Sequence, residues 1–327
     1  MSELEKRALY NLLRMNWVHD KSMKLEPWQV EDYRSLSTEA LLEGLKEFDD
    51  QVTKKQFLLF AEQCDTPEEL TFCYADEEQE PAAQDRAYLI VFELWRRLLP
   101  ERPSLSIFCD ELDHLIMVRD SGEIKDEEKI QDMIASLLDL LDEGADEGGG
   151  PHEIFARVSA HSANDIESFL YDYIAEQIDD ENYGYASELL DGFIPYILDS
   201  RWFDLLHARL LALGDVEQAS EKISEIIEDS GESPDLDLNL EVLDFLVHTG
   251  DRELFLKIAK GTVDLVESEE DLLDLLNCCA NYFHCLDLED DACLVEGIIE
   301  ARSNNNPEAP LAPGDPGVKK LLHCLEP

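Results

Sequence analysis

A turn recurs at a fixed interval in the second half of this chain. Gly214-Asp215 is followed thirty-six residues on by Gly250-Asp251 and thirty-six further by Leu286-Asp287, and one step back lies Ile178-Asp179. The anchor of the pattern, His207 to Ile227, reads as a helix ending at Gly214, a tight turn through Asp215 and a second helix starting at once. Apolar columns keep the same interval: Ile174, Leu210, Leu246 and Tyr282; Ala175, Leu211, Val247 and Phe283; Leu190, Ile226, Thr262 and Ile298. A further column breaks at its first member, with Asp191 ahead of Ile227, Val263 and Ile299. A period in this range is the mark of stacked two-helix units, none of which can bury its apolar face alone. Such an array presents a surface, so the pattern predicts a binding scaffold.

At Phe203 to Ile227 the chain resembles a tetratricopeptide repeat. Phe203, Leu206 and Leu210 stand where that family has large apolar residues on its first helix, Ala219 where it has the small residue that lets the second helix approach, and Ser233-Pro234 near its closing proline. The chain departs from the family where a small residue belongs early in the first helix: Tyr171, His207, Leu243 and Cys279 occupy those places. The resemblance implies a concave, partner-binding superhelix, without implying which partner.

Charge narrows the class of partner. The 327 residues carry 76 acidic and 26 basic side chains, a formal charge of −50. The imbalance is uneven, for residues 1–60 hold 11 acids and 9 bases while residues 61–327 hold 65 and 17. A field of this sign repels nucleic acid and anionic membrane and steers basic proteins inward, an effect that salt weakens. The same acidity also serves plain solubility. The opening Met1-Ser-Glu-Leu-Glu-Lys-Arg lacks the apolar core of a secretory signal, and no run reaches the ~20 apolar residues a membrane span requires. A cytoplasmic location is expected, with the eight cysteines reduced and mostly in the core.

Ahead of the array, apolar residues at helical spacing predict helices over Leu4–Val18, from Thr38, over 53–64, 67–74 and 85–99, from Ser104 to Val118 and from Asp126 to Leu141. Thr53-Lys-Lys-Gln56 and Thr66-Pro-Glu-Glu69 have the form of capping boxes, the second with Pro67 at the first helical position. Residues 142–150, Asp-Glu-Gly-Ala-Asp-Glu-Gly-Gly-Gly, are expected to be a flexible, self-repelling linker. After 302 the Asn- and Pro-rich stretch stops the array, and Gly317 to Leu325 is expected to fold back as a cap, with Val318, Leu321, Leu322 and Leu325 inward. Pro310-Leu-Ala-Pro313 is a weak polyproline pattern.

Chemistry finds little support. Cys278, Cys279, Cys285, Cys293 and Cys324 gather near His284 and His323, but adjacent cysteines point to different sides of a helix and no C-x-x-C occurs. Asp235-Leu-Asp237-Leu-Asn239 copies the start of a calcium loop, then has Leu240 where Gly is needed and Leu246 where Glu is needed. Paired carboxylates are too common to inform, and no nucleophile elbow, phosphate loop, dinucleotide fingerprint or zinc-protease motif is present. Arg86, Arg96, Arg97 and Arg102 near Trp95 are expected to be core packing and local ion pairs rather than an interface.

The expected architecture is all-α: an N-terminal helical domain over 1–141, a linker over 142–150, a tetratricopeptide-like α-α solenoid over 151–302 and a tail with a capping helix over 303–327. The expected function is a non-enzymatic interaction scaffold, without cofactor or metal, receiving a basic segment of a partner protein. The alternative is an acidic chaperone or nucleic-acid mimic occupying a basic client, and a third reading is a carboxylate-based, metal-dependent enzyme. Candidate partner-binding residues are the recurrent turn aspartates Asp179, Asp215, Asp251 and Asp287, together with Trp202.

Overall fold

The computed structural model describes residues 4–76, 78–122, 127–249 and 251–326. Their regular structure is helical, and the only β pairing among them is an isolated bridge between Ser268 and Pro310. Among the described residues no helix is long and apolar enough to cross a membrane. The chain divides into two compact units, 1–170 with 195–197 and 171–194 with 198–327.

The first unit holds α1 (Lys6–His19), α2 (Thr38–Leu45), α3 (Lys54–Ala61), α4 (Pro67–Thr71), α5 (Pro81–Leu98), α6 (Leu105–Asp120), α7 (Glu127–Asp146) and α8 (Pro151–Ala160). Helix α5 is its axis. Every residue from Ala87 to Trp95 is buried, as a helix apolar on all sides must be if it is to sit inside a core. It packs against α2 and α4, while α1 lies on α6 and α7 on α8. Proline at the first helical positions of α4, α5 and α8 costs no hydrogen bond there. Thr53 and Thr66 cap as expected, accepting from the Gln56 and Glu69 amides. The reciprocal half of each box goes elsewhere: Gln56 donates to Asp49, and Glu69 accepts from the Asp65 amide.

Arg96 and Arg97 turn inward to form ion pairs, while Arg86 stays at the surface paired with Glu47. Glu93, wholly buried, accepts from both Arg96 and Arg97, and the Trp95 indole donates to the Arg102 carbonyl at 3.0 Å. Residues 142–150 differ from the expected linker. The first five complete α7, and a turn leads directly into α8. Their glycines serve contact rather than freedom: a Cβ at Gly149 would come within 2.9 Å of the Ile154 side chain, and one at Gly144 within 3.1 Å.

The second unit holds most of α9 (Ile166–Asp179), then α10 (Tyr183–Phe193), α11 (Arg201–Leu211), α12 (Val216–Asp229), α13 (Leu236–Thr249), α14 (Arg252–Val263), α15 (Glu269–Cys285), α16 (Glu289–Arg302) and α17 (Pro316–Cys324). Three of the four thirty-six-residue marks fall at a turn between paired helices, and the first, Ile178-Asp179, forms the last two residues of α9. Ile178-Asp179 precedes α10, Gly214-Asp215 precedes α12, Asp251 precedes α14 and Leu286-Asp287 precedes α16; Gly250 lies outside the described residues. Helices α11 and α12, α13 and α14, and α15 and α16 pack as pairs, and α13 also lies beside α11 and α15. Phe255 and Tyr282 stack face to face in this core, with centroids 3.6 Å apart.

The C-terminal stretch crosses the start of α15. The Ala309 and Pro307 carbonyls accept from the Glu269 and Glu270 amides at 3.0 and 3.1 Å, which supplies acceptors to helix-start N–H groups that have none within the helix. Arg302, 9% exposed, is held between Glu269 and Asp315 by four bonds of 2.8 to 3.0 Å. The following helix α17 packs on α16 with Leu321 and Leu325 buried and Val318 half-buried, whereas Leu322, expected inward, is exposed.

Candidate acidic groove

Two helices of the second unit carry matched stripes. On α13, Asp237, Leu240, Glu241 and Asp244 follow the i, i+3, i+4, i+7 spacing that puts four side chains on one face, and on α15 Asp274, Asn277, Cys278 and Asn281 repeat it. With Trp202 from α11 they line one open groove of about 450 Å³. Its floor and walls are therefore an indole, one leucine, one thiol, two amides and four carboxylates. Among the described residues no lysine or arginine lines it.

Trp202 is fixed by an edge-on contact with Tyr171, ring centroids 5.3 Å apart at 83°, and is half-buried, so it shows part of its indole to the groove.

The carboxylates press on one another. Partial withdrawal from water, followed by the charge of Asp244, raises Glu241 above its ordinary value. Arg209 draws Glu241 the other way, but Arg209 is itself paired with Asp179. Burial and then Asp271 and Asp237 raise Asp274. The Cys278 thiol registers the same field, pushed up to about 12 by burial and by Asp244, Asp274 and Glu241. A thiol held there is neutral at physiological pH and a poor nucleophile or metal ligand. What the groove can do is attract a positive group and rest its apolar stem on Trp202 and Leu240.

The five residues singled out by the repeat occupy different places. Asp215 caps α12 by accepting from the Glu217 and Gln218 amides at 3.1 Å, and Asp251 caps α14 by accepting from Leu254 at 3.0 Å. Asp179 ends α9 in its pair with Arg209, and Asp287 takes the left-handed conformation, φ 58°, at the turn into α16. These aspartates punctuate helices. Trp202 alone of the five lines the groove. The recurring turns do not point to Asp237, Glu241, Asp244 or Asp274; the signal for them in the sequence is the i, i+3, i+4, i+7 spacing that puts each set on one helix face. The cysteines do not gather: Cys279 is fully buried, Cys278 faces the groove, Cys285 and Cys293 are exposed, and all eight are free. Among the described residues no group of His, Cys, Asp and Glu could hold a metal ion. No family model, curated protein or solved structure matches the chain.

Proposed function

We propose that residues 171–302 form a degenerate tetratricopeptide-like array and that its acidic groove docks a basic segment of a partner protein. The observation that carries this reading is the set of four carboxylates from two neighbouring helices sharing one groove that has no cation of its own. Mutual repulsion there is relieved by an incoming Lys or Arg, and Trp202 adds an apolar and cation–π surface for its stem. The agreement of three of the four thirty-six-residue marks with turns between paired helices supports the repeat. The protein then acts by binding, without cofactor, in a cytoplasmic setting that suits eight unpaired thiols.

The test is fluorescence anisotropy with a labelled peptide carrying Arg and Lys pairs in an alanine background, titrated with the full chain. Neutralising the groove (Asp237→Asn, Glu241→Gln, Asp244→Asn, Asp274→Asn) is expected to weaken binding by about tenfold or more, four screened charge contacts of up to ~1 kcal/mol each being removed. A control neutralising Glu217, Glu221, Glu228 and Glu300, exposed residues off the groove, is expected to change affinity by less than about threefold. Equal losses in both variants would mean that general acidity, not the groove, attracts the peptide. Displacement of the peptide's natural counterpart by duplex DNA would favour the nucleic-acid-mimic alternative over a scaffold.

A further inference from the structure

The first unit contains a cavity of the opposite character, and it stands independently of the groove. Helix α1 supplies Arg7, Asn11 and Arg14 to it, the short turn Tyr33–Ser35 supplies Arg34, and α6 supplies Asp110, Asp113 and His114. Three guanidinium groups thus meet two carboxylates in the lining, while Asp32 and Glu111, outside it, pair with Arg14 and Arg34.

Both carboxylates are already spent on the protein. Asp110, 1% exposed, accepts from Arg7 Nε at 2.6 Å, from Asn11 Nδ2 at 2.9 Å and from Arg34. Asp113, 4% exposed, accepts from the Ser162 hydroxyl at 2.6 Å, the Ala163 and Asn164 amides, the Asn164 side chain at 2.8 Å and Asn11 at 3.2 Å. A carboxylate has about four lone-pair sites, so Asp113 is fully used and Asp110 has three of its sites taken, two of them by guanidinium groups that already balance its charge.

The donors are not spent. Arg7 is 8% exposed, and among the described residues Asp110 is its one side-chain acceptor, through Nε; its terminal amino groups have none. Arg34 uses Nη2 on Asp110 and Glu111, and Arg14 uses Nη2 on Asp32 at 3.1 Å. Their other N–H groups, and both ring nitrogens of His114, find no partner among the described residues. A guanidinium offers five N–H donors in a planar fork suited to an oxyanion. The charge of −50 does not decide against an anion here, since screening at physiological salt acts over ~8 Å and the nearest groups set the local potential.

Size and lining narrow the ligand. The cavity holds about 60 Å³, and since one water needs ~10–15 Å³ of such space, it takes roughly four to six water-sized atoms. That accommodates a carboxylate and its first carbons, with the rest leaving by the open side. The apolar lining is Met15, Val18 and Met117, of which Val18 and Met117 are 55% and 37% exposed and so lie toward solvent. We propose that this cavity binds a small carboxylate bearing a short apolar tail, the oxyanion on the unspent N–H groups of Arg7, Arg14 and Arg34 and the tail against Met15, Val18 and Met117.

The test is a titration of the full chain, labelled at its methionine methyls, followed by NMR. Hexanoate is expected to shift the Met15 and Met117 methyls saturably, with a Kd of about 1 mM, while hexylammonium and inorganic phosphate shift them weakly. Arg14→Glu replaces one of the three oxyanion donors by a carboxylate and is expected to weaken hexanoate at least tenfold, with Arg14→Lys retaining most of the affinity. Absence of a saturable shift, equal binding of hexylammonium, tighter binding of phosphate than of hexanoate, or an Arg14→Glu variant that binds hexanoate normally would each overturn the site. The basic-peptide titration is read separately, so either result can fail alone.

Discussion

Two sets of acids in this chain face opposite circumstances. In the first unit Glu93, Asp110 and Asp113 are at most 4% exposed, and each is surrounded by arginines, amides or hydroxyls that donate to it. Burial pulls Asp110 upward, but Arg7 and Arg34 outweigh it and hold its carboxyl down at about 2. In the second unit Glu241 and Asp274 face other carboxylates across an open groove, and both are raised. The same chemical group therefore locks structure in one place and carries unrelieved repulsion in the other. Excess acidity is informative where it lacks local compensation, which a net charge cannot reveal.

Opposite signs follow for substitutions. Asp110→Asn leaves buried Arg7 without its carboxylate and Arg34 with Glu111 alone, and is expected to cost about 3–5 kcal/mol, read as a fall in urea midpoint and Tm. Arg302→Met strands Glu269 and Asp315, which are half-buried or less exposed, and is expected to cost about 3 kcal/mol in the second unit while leaving the first unit's near-ultraviolet signal intact to higher denaturant. The fourfold groove neutralisation should instead stabilise the chain by up to about 1 kcal/mol, the scale of screened surface charge effects. A loss of stability there would erase the contrast between the two regions.

Acid sharpens the same comparison. Hydrogen bonds from Arg302, opposed by partial burial, hold Glu269 and Asp315 below their ordinary values. Their stabilisation is complete above the unfolded carboxylate range and is lost as pH falls through their lowered folded values. Glu241 and Asp274 behave in reverse: raised in the folded state, they disfavour it at neutral pH, and that penalty disappears as pH falls through their raised values and on to the unfolded ones. Peptide affinity for the groove should therefore begin to fall at a higher pH than stability does, a separation seen by running anisotropy and thermal melts over the same buffers. The smallest effect expected is chemical. With its thiol at about 12, Cys278 should react with iodoacetamide at pH 8 more slowly than exposed Cys285, measured by peptide mass spectrometry.

Much of the helical plan was legible from local chemistry. Thr53, Thr66 and Asp251 mark helix starts because their side chains accept first-turn amides, and Pro67 because its missing N–H is not needed there. Of the turns at thirty-six-residue spacing, those at Asp215 and Asp251 were visible for the same reason, their carboxylates capping the next helix. Contacts distant in sequence were not: Arg7 meets Asp110 across 103 positions, and nothing local couples them. Glycine misled at 144 and 149, where the absent side chain makes room for Ile154 instead of loosening the chain. The groove acids were hidden by abundance, since a carboxylate stripe on α13 differs from dozens of solvated carboxylates only once Trp202 and α15 stand opposite it.

The clasp around Arg302 has a practical consequence. A peptide bond that follows arginine is a trypsin target, yet this one lies at the end of α16 with its side chain gripped from two directions. A protease cannot engage that side chain until the grip is released. The rate of cleavage after residue 302 therefore clocks how often the carboxyl-terminal segment lifts away, and the molecule carries its own timer for that motion.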